Sequence, residues 1–198
     1  MKKLTYSDIY TQQLVDIREQ FGFQEGHLKN SINLNPKNFK RYANQYLNTN
    51  QPLVFVVESK EEIDLYELLT IAEEKGFKQI DGYIEMSDIP TEALEKMGLI
   101  PAEDFLKKDE GFILLDVRHP DEITRPAPTK NLLNMPFEDL SKEYQTLDSD
   151  KEIYTLCGSG NRSTSAASFL KAKGFNVKVV EGGMKAIQEV NGSHQKNN

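Results

Sequence analysis

The chain has 198 residues, 38% hydrophobic and 28% charged, with no Trp, one Cys and a formal net charge of -7. That balance describes a folded globular chain rather than a disordered one, and its acidity argues against nucleic acid as a bulk electrostatic partner. No apolar run approaches the ~20 residues that cross a bilayer, the lysines of Met1-Lys2-Lys3-Leu4 have no apolar stretch behind them as a secretory leader would, and a lone cysteine makes no internal disulfide, so the expectation is a reducing, cytoplasmic setting without a membrane partner.

In chain order, the pattern predicts a short helix over Tyr6–Gln13, a strand over Leu14–Ile17, an irregular stretch, a strand over Leu53–Val57, a helix over Ile63–Lys75 and a short strand at Gln79–Ile80. The series then recurs: helix Ala102–Lys108, strand Ile113–Val117, irregular chain, strand Ile153–Leu156, helix Arg162–Lys173, strand Val177–Val180, and a last helix opening at Gly183. Gly76 and Gly174 follow the two long helices, where a left-handed residue closes a helix. Continuous apolar runs of this length suit strands covered on both faces. Strand and helix alternating at this spacing predict an α/β fold, with small, mostly parallel sheets flanked by helices on both faces.

The recurrence extends to individual residues. Leu14-Val15-Asp16-Ile17-Arg18 returns as Leu114-Leu115-Asp116-Val117-Arg118, and Lys75-Gly76-Phe77 as Lys173-Gly174-Phe175. Pro52 to Ser59 lies opposite Glu152 to Ser159, and Ile80-Asp81-Gly82-Tyr83 opposite Val180-Glu181-Gly182-Gly183. Matches in one order imply two domains, here residues 1–89 and 90–198 joined near Pro90-Thr91, with residues 191–198 a polar tail expected to fray.

The stretch Thr155-Leu156-Cys157-Gly158-Ser159-Gly160-Asn161-Arg162-Ser163 carries the chemistry. It lies past the carboxyl end of a predicted strand, where open parallel sheets form their sites. Gly158 and Gly160 let the backbone curl, turning N–H groups inward as an anion nest. The helix starting near Arg162 adds its positive end, Arg162 a full charge and a fork of donors, and Ser163 and Thr164 hydroxyls for the helix start. Each favours Cys157 as an anionic sulfur nucleophile over an inert core thiol.

Cys-x-x-Gly-x-Arg-Ser after a strand resembles the active-site loop of the rhodanese, or sulfurtransferase, family. Leu114-Leu115-Asp116-Val117-Arg118 followed by Asp121-Glu122, the Lys173-Gly174-Phe175 helix end and the closing Gly182-Gly183 resemble further motifs of that family. In the first half, Leu14-Val15-Asp16-Ile17-Arg18 and Gly26-His27-Leu28 with Asn33-Leu34 do the same, so the likeness spans nearly the whole chain. It implies two rhodanese-like domains and a covalent relay. Cys157 takes a sulfane sulfur from a small anionic donor, thiosulfate or a persulfide, and hands it to a thiol, a protein acceptor or cyanide. Gly158, Ser159, Gly160, Asn161, Arg162 and Ser163 cradle the charge. The cysteine carries the group, so no metal or organic cofactor is implied.

Two departures from the pattern matter. The second half has Ile123-Thr124-Arg125-Pro126-Ala127-Pro128-Thr129-Lys130 where the family places a Gly-His segment, a stiff rim on which Arg125 or Lys130 could attract an anion. Opposite Cys157 the first half offers Val57, or Glu58 if the halves slip by one, followed by Ser59-Lys60-Glu61-Glu62-Ile63-Asp64. Carboxylates there would repel thiosulfate, so this half is expected to be inactive, with the Asp16/Arg18 and Asp116/Arg118 pairs and His27 as scaffold and His119 a surface residue. Competing classes are a cysteine-dependent phosphatase or arsenate reductase, disfavoured because only four residues separate Cys157 from Arg162, a binding module without catalysis, and a redox sensor.

Overall fold

The computed structural model describes residues 1–196, with side chains through residue 192. The chain divides into two compact units, Met1–Lys96 and Met97–Asn198.

The first unit contains β1 (Gln13–Asp16), α1 (Gln20–Glu25), β2 (His27–Leu28), β3 (Ile32–Asn33), α2 (Pro36–Tyr46), β4 (Leu53–Val57), α3 (Leu65–Glu74), β5 (Ile80–Glu85) and β6 (Leu94–Glu95). Its sheet has the order β3-β1-β4-β5, all parallel. All five residues of β4 are buried, as a central strand covered on both faces requires. With no Trp available, phenylalanines fill the core: Phe39 meets Phe55 edge-on at 5.3 Å and stacks on Phe77 at 6.1 Å.

The second unit contains β7 (Leu99–Ile100), α4 (Ala102–Leu106), β8 (Phe112–Asp116), β9 (Leu132–Asn134), α5 (Phe137–Glu143), β10 (Glu152–Leu156), α6 (Asn161–Ala172), β11 (Val177–Val180) and α7 (Gly183–Lys196). Its parallel sheet runs β7-β11-β10-β8-β9. Alternation along β10 sends its side chains to opposite faces. Tyr154 and Leu156 pack with Phe105 of α4 and Met184 and Ile187 of α7, while the hydroxyl of Thr155 reaches α6, donating to the Ser163 carbonyl at 2.9 Å. Phe105, Phe112 and Tyr154 form a mutually edge-on trio. Burying aromatic surface of this kind is worth roughly 25 cal/mol per Å², with about 0.5–1.5 kcal/mol more for each pair geometry.

Several expectations need correction. The helix over Tyr6–Gln13 shrinks to a single 3-10 turn, Tyr6–Asp8. Thr5 and Asp8 close it with a capping box, Ile9 is already extended, and the Gln13 amide bonds the Pro52 carbonyl at 2.9 Å. The stretches read as irregular hold α1, α2 and α5. The strand expected at Gln79–Ile80 is β5, which starts at Ile80 and extends to Glu85, past Gly82, where a Cβ would lie 2.2 Å from the Lys2 carbonyl oxygen. Helix α7 continues through the segment expected to fray as far as Lys196, and Asn197 and Asn198 lie outside the described residues. The units part a few residues beyond the join expected after residue 89, because antiparallel pairing of β6 with β2 holds Leu94–Glu95 in the first unit. Gly76 and Gly174 do take the expected left-handed conformation.

Register also corrects one repeat match. Phe55 pairs with Tyr83 and Thr155 with Val179. The counterpart of Val180-Glu181-Gly182-Gly183 is therefore Ile84-Glu85-Met86-Ser87, not Ile80 to Tyr83. A bulge between the Leu53 and Val54 pairings offsets the strand.

Candidate active site

Strand β10 ends at Leu156, opposite Asp116, and Cys157 follows at the carboxyl edge of the sheet. Gly160 caps α6 in the left-handed region, φ 102 and ψ -14, a conformation costly for residues with a Cβ. That turn aims two amides at one atom: Gly160 N–H lies 3.2 Å and Ser163 N–H 3.4 Å from Cys157 Sγ. The Ser163 hydroxyl stands 3.5 Å from the sulfur and donates to the Gly160 carbonyl at 3.0 Å, and Thr164 Oγ1 donates to the same carbonyl at 2.7 Å. The capping Gly160 brings no side chain of its own to the α6 amides, and the positive end of this twelve-residue helix, with the Ser163 amide on Sγ, faces the sulfur. Cys157 is only 2% exposed, beneath exposed Gly158 and Ser159.

The other side of the loop is tied to α7. Met184 N–H donates to the Cys157 carbonyl at 2.8 Å and Lys185 N–H to the Gly158 carbonyl at 3.1 Å. Gly183 permits this approach: with φ 60, a Cβ there would sit 2.4 Å from the Cys157 carbonyl oxygen. Gly158 meets no such demand, since a Cβ on it would touch nothing within 4 Å. Of the two glycines expected to shape the curl, Gly160 has positive φ and Gly158 does not.

Arg162 does not stand alone as an anion clamp. Its guanidinium pairs with both carboxylate oxygens of Glu122, one nitrogen at 2.8 Å. Glu122 also accepts from the His119 amide at 2.7 Å. The Arg162 hydrogen bond, chief among the favourable influences, holds the Glu122 carboxyl below its usual range. Asn161, like Arg162, is partly buried at the helix start. Of the residues expected on the rim, Lys130 lies ahead of β9 at the amino edge of the parallel sheet, away from Cys157, and pairs with Asp109 at 2.9 Å; Arg125 bonds the Gln188 amide oxygen, and His119 is a half-buried turn residue whose Nδ1 accepts from the Asp121 amide at 3.2 Å.

Below the loop lies a buried brace. Arg118 Nε reaches Asp116 Oδ1 at 2.9 Å and another of its nitrogens reaches Oδ2 at 2.6 Å, while Asn134 Nδ2 ties the Asp116 and Arg118 carbonyls at 2.9 Å each. The first unit repeats it: Arg18 to Asp16 at 3.0 and 2.7 Å, and Asn33 to the Asp16 and Arg18 carbonyls. His27 is buried, stacked on Phe23 at 3.9 Å, with Nδ1 2.9 Å from the Phe23 carbonyl. Sequence reading missed Glu122 as the partner of Arg162 and missed the α7 amides; Gly182-Gly183 was the available signal for the second.

Register settles the counterpart of Cys157. Asp16 pairs with Val56 and Asp116 with Leu156, so the next residue, Val57, occupies the cysteine's place. Around it is an open cleft of about 280 Å³ whose lining includes Arg18, Glu19, Val57, Glu58, Glu62 and Ile63. Helix α3 starts only at Leu65, and its amides are already capped by Asp64, which accepts from Tyr66 and Glu67 at 2.9 Å each.

A parallel sheet that delivers a cysteine into the start of a helix defines a thiol-bearing α/β domain, built twice here with the thiol in one copy. The rhodanese-like domain family matches residues 4–84 and 102–190, and the chain belongs to that family as a tandem of two such domains. It is 32% identical over 103 residues to a Bacillus subtilis (strain 168) protein provisionally named sulfurtransferase YtwF, covering 52% of this chain and 91% of that one. It is 31% identical over 101 residues to a tRNA sulfurtransferase of Haemophilus influenzae (strain PittEE), covering 49% of this chain but 20% of that protein. Among solved structures, a rhodanese-related protein from Thermoplasma volcanium is 34% identical, with a TM-score of 0.44 over 46% of this chain and 91% of its own. Among the described residues no helix is long and apolar enough to cross a membrane.

Proposed function

We propose that the chain is a sulfurtransferase in which Cys157 of the second unit carries a sulfane sulfur and the first unit carries none. The observation that bears most weight is the convergence of the Gly160 and Ser163 amides on Sγ. These donors, with the α6 dipole, solvate negative charge first on the attacking sulfur and then on the persulfide. The sulfur anion attacks the outer sulfur of the donor, an S–S bond forms to Sγ, and the donor's inner bond breaks with its electron pair leaving on sulfite or on a thiolate. An acceptor thiolate or cyanide then takes the outer sulfur and restores the anion. Gly158, Ser159, Gly160, Asn161 and Ser163 line this path, with Arg162 beside it, held by Glu122. Sulfurtransferase names among relatives in two genera support the same reading, and a free thiol nucleophile suits a reducing compartment.

In the first unit Val57 has no nucleophilic atom and the α3 amides are held by Asp64, which supports an inactive copy. The test is intact-mass spectrometry after treatment with thiosulfate, glutathione persulfide or buffer. The reading expects wild type to gain one sulfur from at least one donor and Cys157→Ser to gain none. No gain from either donor, or an equal gain in the serine variant, overturns it.

A further inference from the structure

Two guanidinium groups near Cys157 are each held by a carboxylate. The Arg118 guanidinium is committed to Asp116 and to the Arg125 carbonyl, which it reaches at 3.0 Å. Arg162, the cation on the loop itself, is held by both oxygens of Glu122. Glu122 comes from the turn after the Asp-Val-Arg strand and is fixed there by the His119 amide, so the pair bridges two segments that flank the sulfur. The lowered Glu122 carboxyl keeps this pair ionised at neutral pH. What the loop itself offers an incoming donor is therefore a set of amides and a helix end. These suit a sulfur bearing a single charge. A sulfonate carrying two would draw on charge-assisted bonds from a free guanidinium.

We propose that Glu122 is a positioning residue that sets donor preference: by holding Arg162, it favours a thiol-borne persulfide over thiosulfate. This rests on the sulfurtransferase reading. In the favoured step the Sγ–S bond forms as the persulfide's inner S–S bond breaks, and the electron pair departs on the donor thiolate, which takes a proton from water. With thiosulfate the leaving group is sulfite, a dianion released beside Glu122. Arg125 keeps its charge, bonded to the neutral Gln188 side chain, so thiosulfate is disfavoured rather than refused.

The experiment measures sulfur loading of the full chain with cysteine persulfide and with thiosulfate, for wild type, Glu122→Gln and Glu122→Asp. Glu122→Gln should lower KM for thiosulfate roughly fivefold, the scale of releasing one partly exposed ion pair, with kcat for that donor and KM for cysteine persulfide each changing by less than about twofold. Glu122→Asp, which keeps the charge, should stay with wild type. An unchanged donor ratio in Glu122→Gln, or equal loss with both donors in both variants, overturns the proposal. If the variants do not fold, wild type alone decides: a lower KM for cysteine persulfide supports the proposal, and parity or a lower KM for thiosulfate overturns it. Absence of any sulfur on Cys157 would instead remove the sulfurtransferase reading, whereas loading with an unaltered ratio removes only the role of Glu122.

Discussion

The two units part company at matching positions on their central strands. Up to Val56 and Leu156 they are near copies, with the same Asp-Arg brace, the same asparagine tie and the same parallel pairing. One residue later the first unit places Val57, and α3 waits until Leu65 with Asp64 as its cap. The second places Cys157, and α6 begins at Asn161 with a left-handed glycine as its cap. A helix start needs an electron-rich partner for its free amides. In one unit a carboxylate of the chain supplies it; in the other the sulfur does. The brace is present in both units, with the cysteine and without it.

The strongest way to break this comparison is to move the cysteine. Cys157→Ser should reduce sulfur loading to background, and adding Val57→Cys in that background should not restore it, because the α3 amides are already occupied. Recovery of loading at position 57, read by intact mass, would show that the sheet edge alone suffices. Next comes Gly183→Ala. Its Cβ would press on the Cys157 carbonyl in a left-handed backbone, so a loss of about 2–3 kcal/mol in denaturant unfolding, together with lost activity, is expected.

Gly160→Ala should cost about 1–2 kcal/mol through its positive φ alone, and should slow loading by re-aiming the amide. Gly158→Ala, with open space around its Cβ, should change stability by less than about 0.5 kcal/mol. A larger loss at 158 than at 160 would mean the curl is built differently. The smallest effect concerns pH. Glu122 has its carboxyl pKa lowered on folding, so its contribution is present above the ordinary carboxylate range and is lost as pH falls through the folded value. Acid titration of the melting temperature should be slightly flatter in Glu122→Gln, within the ~0–1 kcal/mol typical of partly exposed pairs.

Much of this organisation was legible beforehand. Apolar runs such as Leu53–Val57 admit few roles other than a covered strand, and duplication marked both sheets. The cysteine loop was readable because glycine beside cysteine at a strand end makes poor core. What was missed has physical causes. Helix α2 opens with Asn35-Pro36, a capping asparagine bonding the Asn38 amide at 3.1 Å, and buries Phe39, Tyr42, Ala43 and Tyr46. That is one face of a helix, hidden among lysines and asparagines that read as loop. The short Tyr6–Asp8 turn was overextended because its stop is an extended backbone at Ile9, with no breaker residue to announce it. Glu122 was read only as part of an acidic patch, since forty positions separate it from Arg162 and one-dimensional spacing carries no hint of their meeting.

The bonds from Met184 and Lys185 to the loop carbonyls make α7 a buckle for the Cys157 loop. A cut placed after β11 would leave every strand and the cysteine itself in place, yet unfasten the loop from behind. Shortened or tagged versions of the second unit should therefore be designed from the amino end of α7 outward, treating that helix as part of what holds the Cys157 loop.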